Sequence, residues 1–315
     1  MQFRNLGTSG LRVSTVGLGC NNFGARLDAE ATQKVVHKAL DCGITLFDTA
    51  DMYGNRGGSE RDLGAALGAR RKDIVLASKF GYQMDDTGQM KGGSRRYIMQ
   101  AVEASLQRLG TDWIDLYQFH FPDPLTPIEE TLRALDDLVR QGKVRYIGCS
   151  NKSAWEVVDA LWTSRLYSLN SFVSCQDEYS VLVRKADKDL IPAMQSNGLG
   201  LLPYYPLASG LLTGKYKHGE AMPEGARLSQ PGHYTNRHLN DANWAKLKGL
   251  EMFVASRGKT MLDLAFSWLA CKPVVASFIA GATQPEQVEA NVKAAGWVMT
   301  AEDMAEIDRI SPPGS

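Results

Sequence analysis

Eight short apolar runs recur along the chain: STVGLG, ITLFDT, IVLASKF, IDLYQFH, VRYIGCSN, SFVSCQ, LGLLPYYP and VASFIAGA. Each has the length and β-branched content of a buried strand. Between them lie segments with apolar residues at helical spacing, such as SERDLGAALGARR, RRYIMQAVEASLQRLG, PIEETLRALDDLVRQG and KADKDLIPAMQSNG. Ser59 is placed to cap the first of these, with Glu60 in its first turn. Pro127 opens the third and Gly142 closes it. Strand and helix alternate about every thirty residues. Runs apolar on both sides suit parallel strands covered by helices. Eight such units most simply close into a (β/α)8 barrel, an α/β fold. An open doubly wound sheet would want a G-x-G-x-x-G turn after its first strand. GLGCNNFG, residues 17–24, brings its third glycine too late, and no helix with the required small-residue entry follows.

Two features decorate the barrel pattern. FRNLG and LRVS, flanking Thr8-Ser9-Gly10, read as an N-terminal β-hairpin. The seventh unit is longer than the others, with glycine, proline and polar residues from Thr213 to about Asn240 and a helix from about Asp241. This segment reads as a loop insertion over one face. No second domain or repeat is visible, so residues 1–315 are expected to form one domain.

Charge and composition exclude several functions. With 35 basic and 35 acidic residues the chain has no surplus for a nucleic-acid groove or an acidic membrane surface. No apolar segment is long enough to cross a bilayer. MQFRNLGTSG has no apolar h-region, so a cytoplasmic location is expected. The five cysteines include no C-x-x-C pair and read as reduced thiols. No cluster has metal-ligand spacing, and no metal is expected.

A barrel of this kind carries its chemistry at the C-terminal ends of its strands. Those ends hold Asp48, Lys79, His120, Ser150 with Asn151, and Gln176, and Tyr53 follows Asp48 on the adjoining loop. A free phenol, with a pKa near 10, gives up its proton poorly at neutral pH. A neighbouring ammonium favours the phenolate, and a carboxylate holds the ammonium in place. Asp48, Lys79 and Tyr53 therefore read as a tuned proton donor, with Lys79 lowering the pKa of Tyr53. His120 is placed to orient a carbonyl oxygen against Tyr53. Phe23, Met52, Phe80, Tyr82 and Phe121 flank this rim and are expected to line a substrate pocket.

With these residues in place the chain resembles the aldo-keto reductases over essentially its whole length. The resemblance rests on FDTADMYG (47–54), ASKFG (77–81), YQFHFPDP (117–124), VRYIGCSN (144–151), CQDEYS (175–180), YYPLASGLLTGKY (204–216) and IAGATQPEQVEANV (279–292). It implies a (β/α)8 barrel that reduces small carbonyl compounds with NADP(H), with a tetrad of Asp48, Tyr53, Lys79 and His120. It also implies a cofactor site. Ser150, Asn151 and Gln176 would bind the nicotinamide carboxamide, and Tyr204 would stack on the ring. Pro206, Leu207, Ser209, Gly210 and Leu211 would form the pyrophosphate loop with Lys215. Gly281, Ala282, Thr283, Gln287 and Asn291 would hold the adenosine end, and Asn21 would complete the site.

Some positions depart from the family pattern. Gln284 and Gln287 stand where many relatives carry Arg or Lys, and Ala290 stands for Glu. Asp177 replaces the usual Asn, and Lys152 replaces a frequent aromatic. Arg227, on the long loop, is expected to supply the missing charge at the 2′-phosphate. The loop at 204–216 is most similar to those of bacterial reductases and potassium-channel β-subunits. A second expectation follows, a cofactor-binding regulatory subunit with slow turnover.

Overall fold

The computed structural model describes residues 1–223, 226–229 and 238–314, apart from the side chain of Arg227. Phe3–Asn5 (β1) and Arg12–Ser14 (β2) form the expected antiparallel hairpin. Eight parallel strands follow: Val16–Gly19 (β3), Leu46–Asp48 (β4), Val75–Phe80 (β5), Ile114–Phe119 (β6), Val144–Ser150 (β7), Phe172–Glu178 (β8), Gly200–Tyr204 (β9) and Phe278–Gly281 (β10). From β3 to β9 each pairs with the next in sequence, and β10 pairs with β3. The ring closes where Leu201 N donates to Val274 O at 2.8 Å and Ala276 N to Leu201 O at 3.0 Å. The architecture is a (β/α)8 barrel with an N-terminal hairpin.

Around it pack Ala29–Asp41 (α1), Tyr53–Leu67 (α2), Arg95–Leu109 (α3), Ile128–Arg140 (α4), Ala154–Leu166 (α5), Leu190–Ser196 (α6), Asp241–Ser256 (α7), Met261–Cys271 (α8), Pro285–Ala294 (α9) and Ala301–Ile310 (α10). The α4 sequence shows why such segments form helices here. Thr131, Leu132, Ala134, Leu135 and Leu138 are buried along one face, with Glu129 and Glu130 in the first turn and Arg140 in the last. Thr260 with Asp263, and Thr300 with Asp303, form capping boxes at the starts of α8 and α10.

The start of α2 differs from the sequence expectation. Residues Gly54 to Gly57 take positive φ, so the regular helix starts after them and Ser59 is no cap. Ser59 Oγ instead donates to Cys20 O at 2.7 Å, and Glu60 is buried against Arg108 at 2.6 Å. This compact turn is what sets Tyr53 over the barrel mouth.

Alternation along the strands sorts side chains between barrel interior and helix layer. The lower interior holds Leu46, Ala77, Leu116, Leu202, Ala276 and Ile279, and the hairpin's Leu6 and Val13 plug it from below. Gly7 sits so close to the Gly198 carbonyl and Gly200 amide that no Cβ would fit there. Arg4 Nη1 ties the hairpin to Lys272 O at 3.0 Å and Val275 O at 2.7 Å.

Candidate active site

Above the apolar plug the inward positions become polar. Asp48, Lys79, Gln118 and Gln176 share the upper interior, on β4, β5, β6 and β8. Lys79 Nζ donates to Asp48 Oδ2 at 2.5 Å and to Thr49 O at 2.9 Å. Asp48 Oδ1 accepts from Gln118 Nε2 at 3.0 Å and Gln176 Nε2 at 2.9 Å. A buried ion pair is tolerable only when its remaining bonds are met, and here both carboxylate oxygens are satisfied. Gln118 escaped the sequence reading, although it lies two residues before His120 on the same alternating face.

Tyr53 Oη lies 3.5 Å from Lys79 Nζ. The His120 ring meets Tyr53 edge-on at 5.8 Å and stacks on Phe121 at 4.4 Å. The His120 carbonyl accepts from Asn151 Nδ2 at 2.9 Å, which fixes the strand end.

The electrostatics correct one expectation. Burial pushes the Tyr53 phenol up, Lys79 pulls it down, Asp48 pushes it up again, and the net direction is above the ordinary value. Tyr53 is therefore not acidified in the folded protein but held fully protonated. The effect of Lys79 is to stabilise whatever phenolate forms. Burial alone would lower the Lys79 ammonium, but Asp48 and Tyr53 outweigh it and hold the pKa above its usual value. Burial, with Lys79 second, drives the His120 imidazole well below its usual range, so it is neutral near pH 7. The cluster thus offers a protonated phenol, a fixed cation behind it and a neutral imidazole beside it. Such a set can hydrogen-bond a carbonyl oxygen and deliver a proton to it.

A cavity of about 880 Å³ runs from this cluster across the barrel rim to α9. It is lined by Asp48, Met52, Tyr53, His120, Phe121, Asn21, Ser150, Asn151, Gln176, Tyr204, Pro206, Leu207, Ser209, Gly210, Lys215, Gly281, Ala282, Thr283, Gln287 and Asn291. These are most of the residues singled out from sequence. Tyr204 Oη donates to Asn151 Oδ1 at 2.7 Å. Thr283 N donates to Gln287 Oε1 at 2.7 Å, which fixes the turn into α9.

Other predicted residues lie elsewhere. Phe23 and Phe80 are buried in the core and do not line the cavity. Lys79 takes the inward position on β5, so Phe80 faces outward and stacks on Phe119 at 5.2 Å. Phe23 lies beneath the turn that joins the barrel to α2, with its carbonyl close to Gly54. Tyr82 is exposed and reaches the cavity only through Phe121, 5.7 Å away. The Leu211 side chain is buried in the core, outside the lining. The Arg227 side chain lies outside the described residues. Cys20, Asn22, Arg26, Glu178 and Tyr205 line the cavity without having been singled out, and Ala290, where many relatives carry Glu, lines it too. Cys20, Asn22, Arg26 and Tyr205 lie in loops that carry no periodic signal, and Glu178 is the last residue of β8.

A model described as the aldo/keto reductase family matches residues 15–312. The chain belongs to the aldo/keto reductase family. Among similar aldo/keto reductases is the L-glyceraldehyde 3-phosphate reductase of Escherichia coli (strain K12), 36% identical over 321 residues, covering 98% of this chain and 92% of the relative. A protein of Arabidopsis thaliana named a probable voltage-gated potassium channel subunit beta is 38% identical over 301 residues, covering 93% of this chain and 91% of its own length. Aldo-keto reductase YhdN of Bacillus subtilis is 32% identical over 317 residues, covering 98% and 93%.

Aldo/keto reductases use a nicotinamide cofactor, and the lining fits one. Ser209 Oγ is buried without a hydrogen-bond partner among the described residues. Around it Tyr205, Ala208 and Ser209 hold φ of 51°, 45° and 58°, a conformation that non-glycine residues adopt at a cost. An unmet buried hydroxyl beside Gly210 and Lys215 suits an anionic oxygen. The start of α9 adds a helix N-terminus.

Proposed function

We propose that this chain, as one domain, is an NADPH-dependent reductase of aldehydes and ketones. The observation that carries the reading is the convergence of Asp48, Lys79, Tyr53 and His120 at one end of a cavity of about 880 Å³ that extends to α9. Bound NADPH supplies a hydride from nicotinamide C4. Tyr53 delivers the proton to the carbonyl oxygen, Lys79 stabilises the phenolate left behind, and Asp48 holds Lys79. Neutral His120 orients the carbonyl oxygen. Gln176 Nε2 is committed to Asp48, so its Oε1 is the atom offered to the carboxamide, with Ser150 and Asn151 beside it. Tyr204 forms the platform for the ring. Ser209, Gly210 and Lys215 hold the pyrophosphate, and Thr283, Gln287 and Asn291 hold the adenosine end.

Arg26, exposed at the cavity wall and without an ion pair among the described residues, favours carbonyl substrates that carry an anionic group. The name of the Escherichia coli relative points the same way. The test is NADPH oxidation with a panel of neutral, carboxylated and phosphorylated aldehydes. Oxidation that depends on the aldehyde is expected, and none with any carbonyl would sink the reading. The likeness to a named channel subunit supports a second reading, a cofactor-binding regulatory subunit. It would show tight NADPH binding with turnover too slow to sustain steady-state oxidation.

A further inference from the structure

Tyr97, on α3, places its phenolic oxygen 3.0 Å from Asp51 Oδ2 and 3.3 Å from the Tyr82 carbonyl oxygen. A phenol has one hydrogen and can donate fully to only one of these acceptors. Asp51 is buried on the loop just before Tyr53, with its amide donating to Lys79 O at 3.1 Å. Its second oxygen, Oδ1, has no hydrogen-bond partner among the described residues. Tyr82 opens the loop at 81–93, and its ring packs on Phe121, which lines the cavity beside His120.

We propose that Asp51 and Tyr97 are positioning residues for this wall of the cavity, and that the protonation state of Asp51 decides whether Tyr97 holds the Tyr82 carbonyl. With Asp51 protonated, its O–H donates to the Tyr97 oxygen, and Tyr97 donates to Tyr82. Every hydrogen then has an acceptor. With Asp51 ionised, its proton passes to solvent and no covalent bond to carbon changes. Tyr97 must now donate to the carboxylate, and the Tyr82 carbonyl loses its donor. Phe121, the wall residue against which Tyr82 packs, is then tied to the catalytic loop less tightly.

The charged surroundings permit this change near neutral pH. Glu60 faces Asp51 from α2, Arg108 and Tyr97 face it from α3, and Tyr117 faces it from β6. Lys79 sends its ammonium the other way, to Asp48. Glu60 is held by Ser78 Oγ and Arg108 Nε, each at 2.6 Å. Burial and the Glu60 charge push the Asp51 carboxyl up to about 7, against the pull of Tyr97 and Arg108.

The kinetic arm of the test rests on the reductase reading, and the exchange arm does not. Hydrogen–deuterium exchange of the 81–93 loop, corrected for intrinsic pH dependence, is measured from about pH 6 to 8, the range in which the carboxyl changes charge. Wild type should lose protection about three- to tenfold across that range, the equivalent of one ordinary hydrogen bond. Asp51→Asn, whose amide donates at every pH, should keep the loop protected throughout. Tyr97→Phe should leave it unprotected throughout. KM for an aromatic aldehyde should follow the same three patterns, with kcat for a small aldehyde changing less. A pH step that survives in either variant overturns the proposal. Should Asp51→Asn fail to fold, Tyr97→Phe alone decides it. Absence of turnover with a normal exchange pattern would fault the reductase reading and leave this one standing.

Discussion

The two ends of the barrel are built by the same alternation and filled in opposite ways. At the lower end Leu46, Leu116, Leu202 and Ala276 meet Leu6 and Val13 of the hairpin in an apolar plug. At the upper end the next inward positions carry Asp48, Lys79, Gln118 and Gln176, and the rim residues Asn151, Tyr205, Ala208 and Ser209 hold positive φ. Burial at the lower end stabilises the fold directly. At the upper end it costs desolvation and backbone strain; hydrogen bonds to both Asp48 oxygens offset that cost at the ion pair, while Ser209 Oγ stays unmet among the described residues. The contrast separates what holds the barrel together from what it can do. It also shows why the chemistry sits at the less favourable end, where a fixed charge is kept away from water.

Breaking each end should give a different signature. Lys79→Met, which strands the Asp48 carboxylate, should cost about 3–5 kcal/mol of stability and abolish turnover, as followed by denaturant titration and an NADPH assay. At the other end, Leu6→Ala should cost about 2–5 kcal/mol with turnover per folded molecule unchanged. A large drop in that turnover would mean that the two ends are not independent.

A subtler probe is acid sensitivity. Below about 6.5, the ordinary value of His120, the unfolded chain binds a proton that the buried imidazole refuses, so the native state loses stability as pH falls. Asp51 acts in the opposite sense. Its carboxyl stays protonated up to about 7 in the fold against 3.8 outside it, so stability declines as pH rises through that window. His120→Asn should therefore lose less Tm than wild type between about pH 7 and pH 5. An equal loss would show that His120 is not the acid-sensitive group.

The smallest expected effect concerns the cofactor phosphate. With neutral Thr283, Gln287 and Asn291 at the start of α9 and the charge expected from Arg227, NADPH should bind about tenfold to a hundredfold more tightly than NADH, at 1.4 kcal/mol per decade. Paired binding titrations check this, and equal affinities would remove the NADP assignment.

Much of the upper end was legible because a charged residue closing an apolar run is a strong signal. Asp48, Lys79 and His120 stand out in that way, and the strand order then forces them together. Gln118 was legible in principle, since alternation places it on the same face. Phe80 was misplaced for want of the same argument, because a residue next to an inward lysine must face the helices. Phe23, Ser59 and Glu60 depended on a run of left-handed turns at Gly54 to Gly57, which local pattern does not reveal. The contact from Asp51 through Tyr97 to Tyr82 joins three separate segments and leaves no mark in any of them. The direction of the Tyr53 shift was hidden for a further reason, since it depends on how completely the phenol is buried.

The central claim is that Tyr53 is the proton donor and has no other indispensable role. Tyr53→Phe removes one hydroxyl and keeps the ring against Lys79 and His120. The account predicts unchanged thermal stability within about 1 kcal/mol, an unchanged NADPH dissociation constant, and turnover reduced by roughly 100-fold or more, as expected for a lost general acid. A variant that kept more than about a tenth of wild-type turnover would contradict it, because the proton would then have to come from another group.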